Sequence, residues 1–155
     1  MAKKRKRVVA TNRRAARDYM FLEKYEAGIA LTGTEIKSIR AGNISLQGAY
    51  VQAKNGELYL IDAHIAPYER AGYEAHDPTR PRKLLLHRRE INKIISAITA
   101  KGLTMVPTRV LLLNGWAKVE VAVARGKKRH DRREDLAKRD AKRQMERALR
   151  EKYRS

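Results

Sequence analysis

Residues 50–61 read YVQAKNGELYLI, and this stretch decides the fold class. Its two halves are rich in valine, leucine, isoleucine and tyrosine, residues that favour β-strands. The Asn-Gly pair between them (residues 55–56) tolerates the positive φ angles of a type I′ turn. The same pattern recurs farther along the chain, with strands at residues 104–113 and 116–124 around a second Asn-Gly pair. The sequence therefore predicts two β-hairpins.

The segments around the hairpins predict further short elements. Apolar runs at residues 29–31 and 83–87 are typical of strands, which brings the total to about five or six. Capping residues and helical apolar spacing predict three helices: residues 13–17 after Asn12, residues 35–40, and residues 89–101 before Gly102. Closing several short strands on themselves removes exposed sheet edges. We therefore expect a mainly β fold with short helices, a small closed or partly open β-barrel of the oligonucleotide-binding (OB) type, although other small barrels fit as well.

The charge of the chain is concentrated at its two ends. The 155 residues carry 36 Lys and Arg against 17 Asp and Glu, a net charge of +19, and residues 1–17 and 125–155 contribute +8 each. The like charges within each flank repel one another, and each flank has little apolar surface with which to fold. We therefore expect the flanks to bind a polyanionic partner. We expect three parts: a basic disordered arm over residues 1–11, the barrel over residues 12–124, and a basic tail over residues 125–155. Helical spacing with few apolar side chains predicts a tail that is disordered when free and helical when bound.

The sequence lacks the motifs of most enzyme classes and of membrane proteins. It has no Cys, so disulfides, thiolate nucleophiles and Cys-based zinc sites are excluded, and its four His form no metal-binding spacing. It has no phosphate-binding Gly-Lys-Ser/Thr loop and no GxSxG motif. Glu26 and Glu35 are more typical of solvated charges or salt-bridge partners than of a catalytic carboxylate pair. We expect a soluble cytoplasmic binding protein with no catalytic residue, metal or cofactor, and no membrane span.

Several motifs carry a resemblance to a known family. They are NRRAARDY (residues 12–19), YEAG (25–28), TGTEIKSIRAG (32–42), PTRPRKLLLH (78–87) and ARGKKRHDRR (124–133). In this order they closely resemble the bacterial small protein B family, the transfer-messenger-RNA-binding proteins, over residues 12 to about 150.

The resemblance implies a function in ribosome rescue. It implies an OB-type barrel that binds the tRNA-like domain of transfer-messenger RNA (tmRNA, or SsrA RNA) and, with elongation factor Tu, delivers alanyl-tmRNA to stalled 70S ribosomes in trans-translation. The tail of such a protein enters the empty message channel, beside the small-subunit rRNA. We expect a monomer that binds and positions without catalysing a reaction.

The resemblance also implies which residues bind RNA: Asn12, Arg13, Arg14, Tyr19, Glu26, Leu85 and Lys118. Lys118 suits a phosphate, whereas Glu26 suits a base amino group or the positioning of a neighbouring Arg. Leu85 has two equally weighted interpretations, RNA contact or core residue, because apolar strand positions are mostly buried.

The ribosome-binding residues implied in the tail are Gly126, Lys127, Lys128, His130, Asp131, Arg132 and Arg133. The ring of His130 can stack on an unpaired base while the surrounding cations hold the backbone. We expect Asp131 to cap the tail helix at its N-terminus.

Two other nucleic-acid-binding classes fit the charge. A basic ribosomal or RNA-chaperone protein would explain the barrel equally well, but not the order of the motifs. A DNA-architectural protein would need apolar wedges on exposed ribbons, and the Asn-Gly hairpin tips predict none.

Overall fold

The computed structural model describes residues 6–67, 76–127 and 129–152, and for residues 129–135 it describes the backbone alone. The chain divides into two compact units, Met1–Arg125 and Gly126–Ser155.

The first unit is built mainly from antiparallel strands. A seven-stranded sheet has the order β1-β8-β9-β2-β7-β5-β4, and β3 and β6 form a separate two-stranded sheet. The strands are β1 Lys6–Thr11, β2 Tyr19–Ile29, β3 Ile44–Ser45, β4 Tyr50–Lys54, β5 Glu57–Ile61, β6 His64–Ile65, β7 Arg82–Leu85, β8 Thr104–Leu113 and β9 Trp116–Gly126. The mainly β fold with short helices is confirmed. The expected five or six strands are too few, because three short or highly charged strands (β1, β3 and β6) were not recognised.

Both predicted hairpins are confirmed. Each Asn-Gly pair has positive φ angles, 53° and 73° at the turn between β4 and β5, and 51° and 83° at the turn between β8 and β9. The second hairpin has a register irregularity between Pro107 and Arg109. Proline lacks a backbone N–H, so a bulge there is a common way for a strand to accommodate it.

Strand β1 corrects the expected disordered arm. Lys6–Thr11 pairs with β8, from Lys6 opposite Leu113 to Thr11 opposite Arg109. Val9 and Ala10 pack against the core, so a short apolar segment anchors a chain end that composition alone made look unstructured. Residues 1–5 lie outside the described residues.

In the described residues, four helices accompany the strands. They are α1 Arg13–Asp18, α2 Gly33–Arg40, α3 Arg88–Lys101 and α4 Arg129–Lys152. The predicted caps of α1 and α3 are confirmed: the Asn12 side chain accepts a hydrogen bond from the backbone N–H of Ala15, and Gly102 ends α3 with φ 63°. Helix α4 begins at Arg129, so the expectation that Asp131 caps it is wrong. Asp131 lies in the first turn, where the helix dipole still favours an acidic residue.

The core of the first unit lies between the curled sheet and two of its helices. Strand β4, at one edge of the large sheet, contacts β8, which lies next to the other edge. Ile39 of α2 and Ile91 and Ile94 of α3 are buried among the apolar strand residues. The sheet is therefore strongly curved, while closure as an OB-type barrel stays a prediction.

Candidate RNA interface

An open groove of about 850 Å³ brings together three of the residues singled out from the sequence. Glu26 enters it from β2, Leu85 from β7 and Lys118 from β9. These residues are widely separated in the chain, and pairing of β2 with β7 and proximity of β2 to β9 in the sheet place them on one surface. The groove therefore contains a hydrogen-bond acceptor (Glu26), an apolar side chain (Leu85) and a cation (Lys118).

Leu85 is not a core residue. Its side chain is 51% exposed, whereas Leu84 beside it is fully buried, because successive side chains of a strand point to opposite faces. Leu85 lies opposite Gly28, and a β-carbon built on Gly28 would be 3.2 Å from the Cβ of Leu85. The missing side chain at Gly28 thus leaves room for Leu85 in the groove.

Basic side chains surround these residues, and some are held by carboxylates. The groove is also lined by Lys24, Lys83, His87 and Arg88. The Arg88 guanidinium donates to the carbonyl of Gly56 at 2.6 Å and to the Glu57 carboxylate. The hydrogen bond from Arg88 lowers the pKa of Glu57. Glu57 therefore stays charged and fixes Arg88 at the wall of the groove.

Glu120, which follows the groove residue Lys118 by two positions on β9, organises a second set of cations. Burial alone would raise its pKa, but hydrogen bonds from Arg109 and Thr108 outweigh this effect and lower it. The Arg109 Nη2 atom lies 2.6 Å from one Glu120 oxygen, and Lys24 Nζ lies 3.5 Å from the other. The carboxylate positions Lys24 at the edge of the groove.

The amino-terminal candidates lie mainly around a separate, smaller groove. Asn12, Arg14 and Tyr19 line a cavity of about 380 Å³, and Arg13 is exposed on α1. Asn12 is only 6% exposed, and its side chain caps α1 and donates to the carbonyl of Pro107 at 2.9 Å. The geometry gives Asn12 a structural role, since it ties α1 to the bulge of β8.

A buried ion pair joins two of the motif-bearing segments, and sequence reasoning missed it. Arg82 and Glu35 are both fully buried, with Arg82 Nε 2.6 Å from Glu35 Oε2, and Arg80 Nη2 is 2.6 Å from Glu35 Oε1. Burial would raise the pKa of Glu35, but hydrogen bonds from Arg80, the backbone of Thr32 and Arg82 lower it to about 2. Glu35 is thus a salt-bridge partner, one of the two roles expected for it. The signal available in the sequence was the capping-box spacing of Thr32 and Glu35.

Glu35 also connects this pair to helix α2. Its Oε1 atom accepts a hydrogen bond from the backbone N–H of Thr32 at 2.9 Å, and the Thr32 hydroxyl caps the helix in return. The remaining Arg82 donors reach the carbonyls of Ala63, Asp77 and Pro78. The pair therefore anchors β7, which carries Leu85, to α2 and the adjoining loops.

The described side chains, those of residues 6–67, 76–127 and 136–152, contain no group of three His, Asp or Glu arranged to hold a metal ion. Within the same ranges, no helix is long and apolar enough to span a membrane.

The tail candidates follow β9. Gly126 is its last residue and Lys127 comes next, whereas Lys128 lies outside the described residues. His130, Asp131, Arg132 and Arg133 belong to the first turns of α4, and their side chains are outside the description. From residue 136 to residue 152 every side chain is exposed, including the apolar Leu136, Met145 and Leu149. The tail is a charged helix without a buried face over these residues.

Comparison with known proteins decides the family. A sequence model of the SmpB protein family matches residues 9–151. The chain belongs to the SmpB protein family. It is 58% identical over 149 residues to the SsrA-binding protein of Roseiflexus castenholzii, covering 96% of this chain and 94% of the relative. It is 54% identical over 154 residues to the SsrA-binding protein of Acetivibrio thermocellus, covering 99% of this chain and 100% of the relative.

A solved structure agrees with the family assignment. The structure described as "tmRNA-SmpB: a journey to the center of the bacterial ribosome" contains a chain with 47% identity and a TM-score of 0.64. The match covers 81% of this chain and 92% of that chain. The resemblance inferred from the five motifs is therefore confirmed.

Proposed function

We propose that this protein binds the tRNA-like domain of tmRNA, the SsrA RNA, and delivers it to stalled ribosomes in trans-translation. The observation that carries the proposal is the meeting of Glu26, Leu85 and Lys118 in one open groove. The names of the SsrA-binding relatives and the SmpB chain solved with tmRNA support the choice of RNA.

The groove chemistry suits a folded RNA with accessible bases. Lys118, with Lys24 and Lys83, attracts phosphates, which supplies affinity without sequence information. The exposed Glu26 accepts hydrogen bonds from base amino groups, a contact that a uniformly basic surface would not offer. Leu85 supplies an apolar contact for a base or ribose. The combination distinguishes one RNA surface from others instead of attracting any polyanion.

The amino-terminal residues act at the edge of this interface. Arg13, Arg14 and Tyr19 contact RNA, and Asn12 positions them by capping α1 and holding it to β8. The role of Asn12 is then indirect, since both ends of its side-chain amide are bonded within the protein.

The tail acts on the ribosome. Its charged helix, with exposed side chains from residue 136 to residue 152, enters the empty message channel and contacts small-subunit rRNA. His130, Asp131, Arg132 and Arg133, with Gly126, Lys127 and Lys128 before them, form the junction that reports the absence of message. The protein works in the cytoplasm as a monomer, together with elongation factor Tu and alanyl-tmRNA, and contributes binding and positioning without catalysis or a cofactor.

The proposal is tested by measuring affinity for the isolated tRNA-like domain and for ordinary tRNA at one salt concentration. Glu26→Ala and Lys118→Ala should each weaken binding to the tRNA-like domain by roughly 1–3 kcal/mol, the scale of one good base or charged contact. Both variants should melt close to the wild type, because neither side chain is buried.

Lys101→Ala is the matched control, since Lys101 is an exposed lysine at the end of α3 that does not line the groove. It should leave the preference for tmRNA unchanged. The RNA that copurifies with the tagged protein separates the alternatives: enrichment of bulk ribosomal RNA or of DNA instead of tmRNA would contradict the proposal.

A further inference from the structure

Among the described residues of the first unit, the most exposed large apolar side chain lies outside the groove. Trp116 is 75% exposed and stands directly after the turn between β8 and β9. The Asn-Gly pair at this turn predicts no apolar side chain at the hairpin tip, and Trp116 corrects that prediction. An indole so exposed contributes little to the core and presents its ring to a ligand.

Two arginine side chains hold the backbone at the hairpin tip before Trp116. Arg40 Nη2 donates to the carbonyl of Gly115, the residue just before Trp116, at 3.1 Å. Arg7 Nη2 in turn donates to the carbonyl of Arg40 at 2.9 Å. The backbone of the tip is therefore tied to the end of α2 and to β1, which fixes the point from which the indole projects.

The surroundings of Trp116 are basic. Leu113 lies opposite Trp116, and Lys6 lies opposite Leu113, so a lysine stands in the same cross-strand row as the indole. Arg7 and Arg40 adjoin the turn. An exposed aromatic ring among cations is the arrangement with which proteins bind unpaired nucleotides, because the ring stacks on a base while the cations attract the backbone.

The hairpin tip continues the groove surface. Trp116 and Lys118 are two residues apart on β9, and the buried Ala117 between them points to the other face. A nucleic acid that contacts Lys118 in the groove can thus extend along the same face of β9 to the indole.

We propose that Trp116 stacks on an unpaired base of the RNA that occupies the groove, so that the interface extends along β9 to the hairpin tip. This inference rests on the proposed function. Stacking requires a base that is not inside a helix, so the ligand is a looped or bulged nucleotide of that RNA.

The test uses the fact that Trp116 is the single tryptophan of the sequence. In a titration of the full-length protein with the tRNA-like domain, its fluorescence should be quenched and should saturate at the same RNA concentration as binding measured by filter retention. Trp116→Ala should weaken binding roughly five- to hundredfold, the range expected for one stacked base. Trp116→Phe should recover part of the affinity.

Two readouts separate stacking from charge and stability. The slope of affinity against salt should be the same in Trp116→Ala as in the wild type, because no phosphate contact is removed. The melting temperature should also be unchanged. Leu22→Ala is the matched control, since it truncates a 52% exposed apolar side chain of β2 that does not line the groove, and it should bind RNA normally.

The inference is overturned if saturating RNA leaves the emission unchanged or if Trp116→Ala binds like the wild type. It is also overturned if the emission responds only to an added protein, such as a ribosomal protein or elongation factor Tu. If Glu26→Ala and Lys118→Ala weaken binding while Trp116→Ala does not, only this inference fails. If none of the three variants weakens binding, the proposed groove function fails with it.

Discussion

Replacing Arg82 with methionine should strongly destabilise the first unit. The side chain is fully buried and bonds to the Glu35 carboxylate at 2.6 Å and to the carbonyls of Ala63 at 2.8 Å and Pro78 at 3.1 Å. Methionine fills part of the volume but removes these donors, so the buried Glu35 carboxylate keeps only one of its two arginine partners, Arg80. Removing one partner of a buried ion pair costs about 3–5 kcal/mol. At about 2–4 °C per kcal/mol for a protein of this size, the melting temperature should fall by about 6–20 °C.

The same pair predicts how stability depends on pH. The pKa of Glu35 is lowered from 4.5 to about 2 in the folded protein. Its contribution is therefore fully present above about pH 4.5 and is lost as the pH falls from there toward 2. The shift corresponds to about 3 kcal/mol of the free energy of unfolding. Glu35→Gln should accordingly flatten the dependence of stability on pH in this window.

Urea unfolding followed by far-ultraviolet circular dichroism measures both effects. The control is Lys93→Met, which breaks an ion pair of 3.0 Å between Lys93 and Glu23, side chains that are 66% and 47% exposed. Exposed pairs contribute at most about 1 kcal/mol, so this variant should be nearly as stable as the wild type. Two results would contradict this role of the buried pair: a loss of unfolding free energy in Arg82→Met no larger than in Lys93→Met, or a stability of Glu35→Gln that still depends on acid pH as in the wild type.

Two further predictions separate structural from RNA-binding roles. Leu85→Ala should weaken RNA binding and leave the melting temperature nearly unchanged. Leu84→Ala, one position earlier and fully buried, should cost about 2–5 kcal/mol of the free energy of unfolding. Equal destabilisation by both variants in thermal melting would argue against the exposed position of Leu85. Deleting residues 1–5 should weaken binding to all RNAs alike and reduce the salt slope, while a deletion that also removes β1 (Lys6–Thr11) should lower the melting temperature as well. Loss of the preference for tmRNA over ordinary tRNA after the shorter deletion would contradict this division of roles.

Elements that depend on local chemistry could be predicted from the sequence. The two Asn-Gly turns, the Asn12 cap and the Gly102 cap each require particular backbone angles or a side-chain acceptor within a few residues. Short-range signals of this kind are readable without knowledge of the rest of the chain.

Elements that depend on distant partners were missed or cut short. Strand β1 forms because it pairs with the edge of β8, about a hundred positions later in the chain. Without that pairing, its Lys and Arg residues are typical of a solvated arm. Strand β2 spans Tyr19–Ile29 across the charged centre that separated its apolar ends in the sequence. The pairing of Glu35 with Arg82 is equally non-local, and no periodicity announces it.

The candidate site likewise combines residues that the sequence indicates with an arrangement that only the fold shows. The resemblance supplied Glu26, Leu85 and Lys118, but only the sheet order shows that they share a groove. The exposure of Leu85 could not be read from its type, because leucine in a strand is usually buried. The exposure of Trp116 could not be predicted either, because the sequence does not show which face of the sheet an aromatic residue beside a turn occupies.

One truncation separates RNA binding by the groove from the action of the tail on the ribosome. Ending the chain after Arg129 removes His130 and nearly all of α4, while every proposed groove residue stays in place. The measurement is peptide tagging on stalled ribosomes in a reconstituted system, with binding of the tRNA-like domain measured on the same protein. The truncated protein should bind RNA nearly as well as the full chain and should fail to support tagging, and His130→Ala should show part of the defect. Tagging at the full-length rate, or loss of RNA binding along with tagging, would contradict this separation.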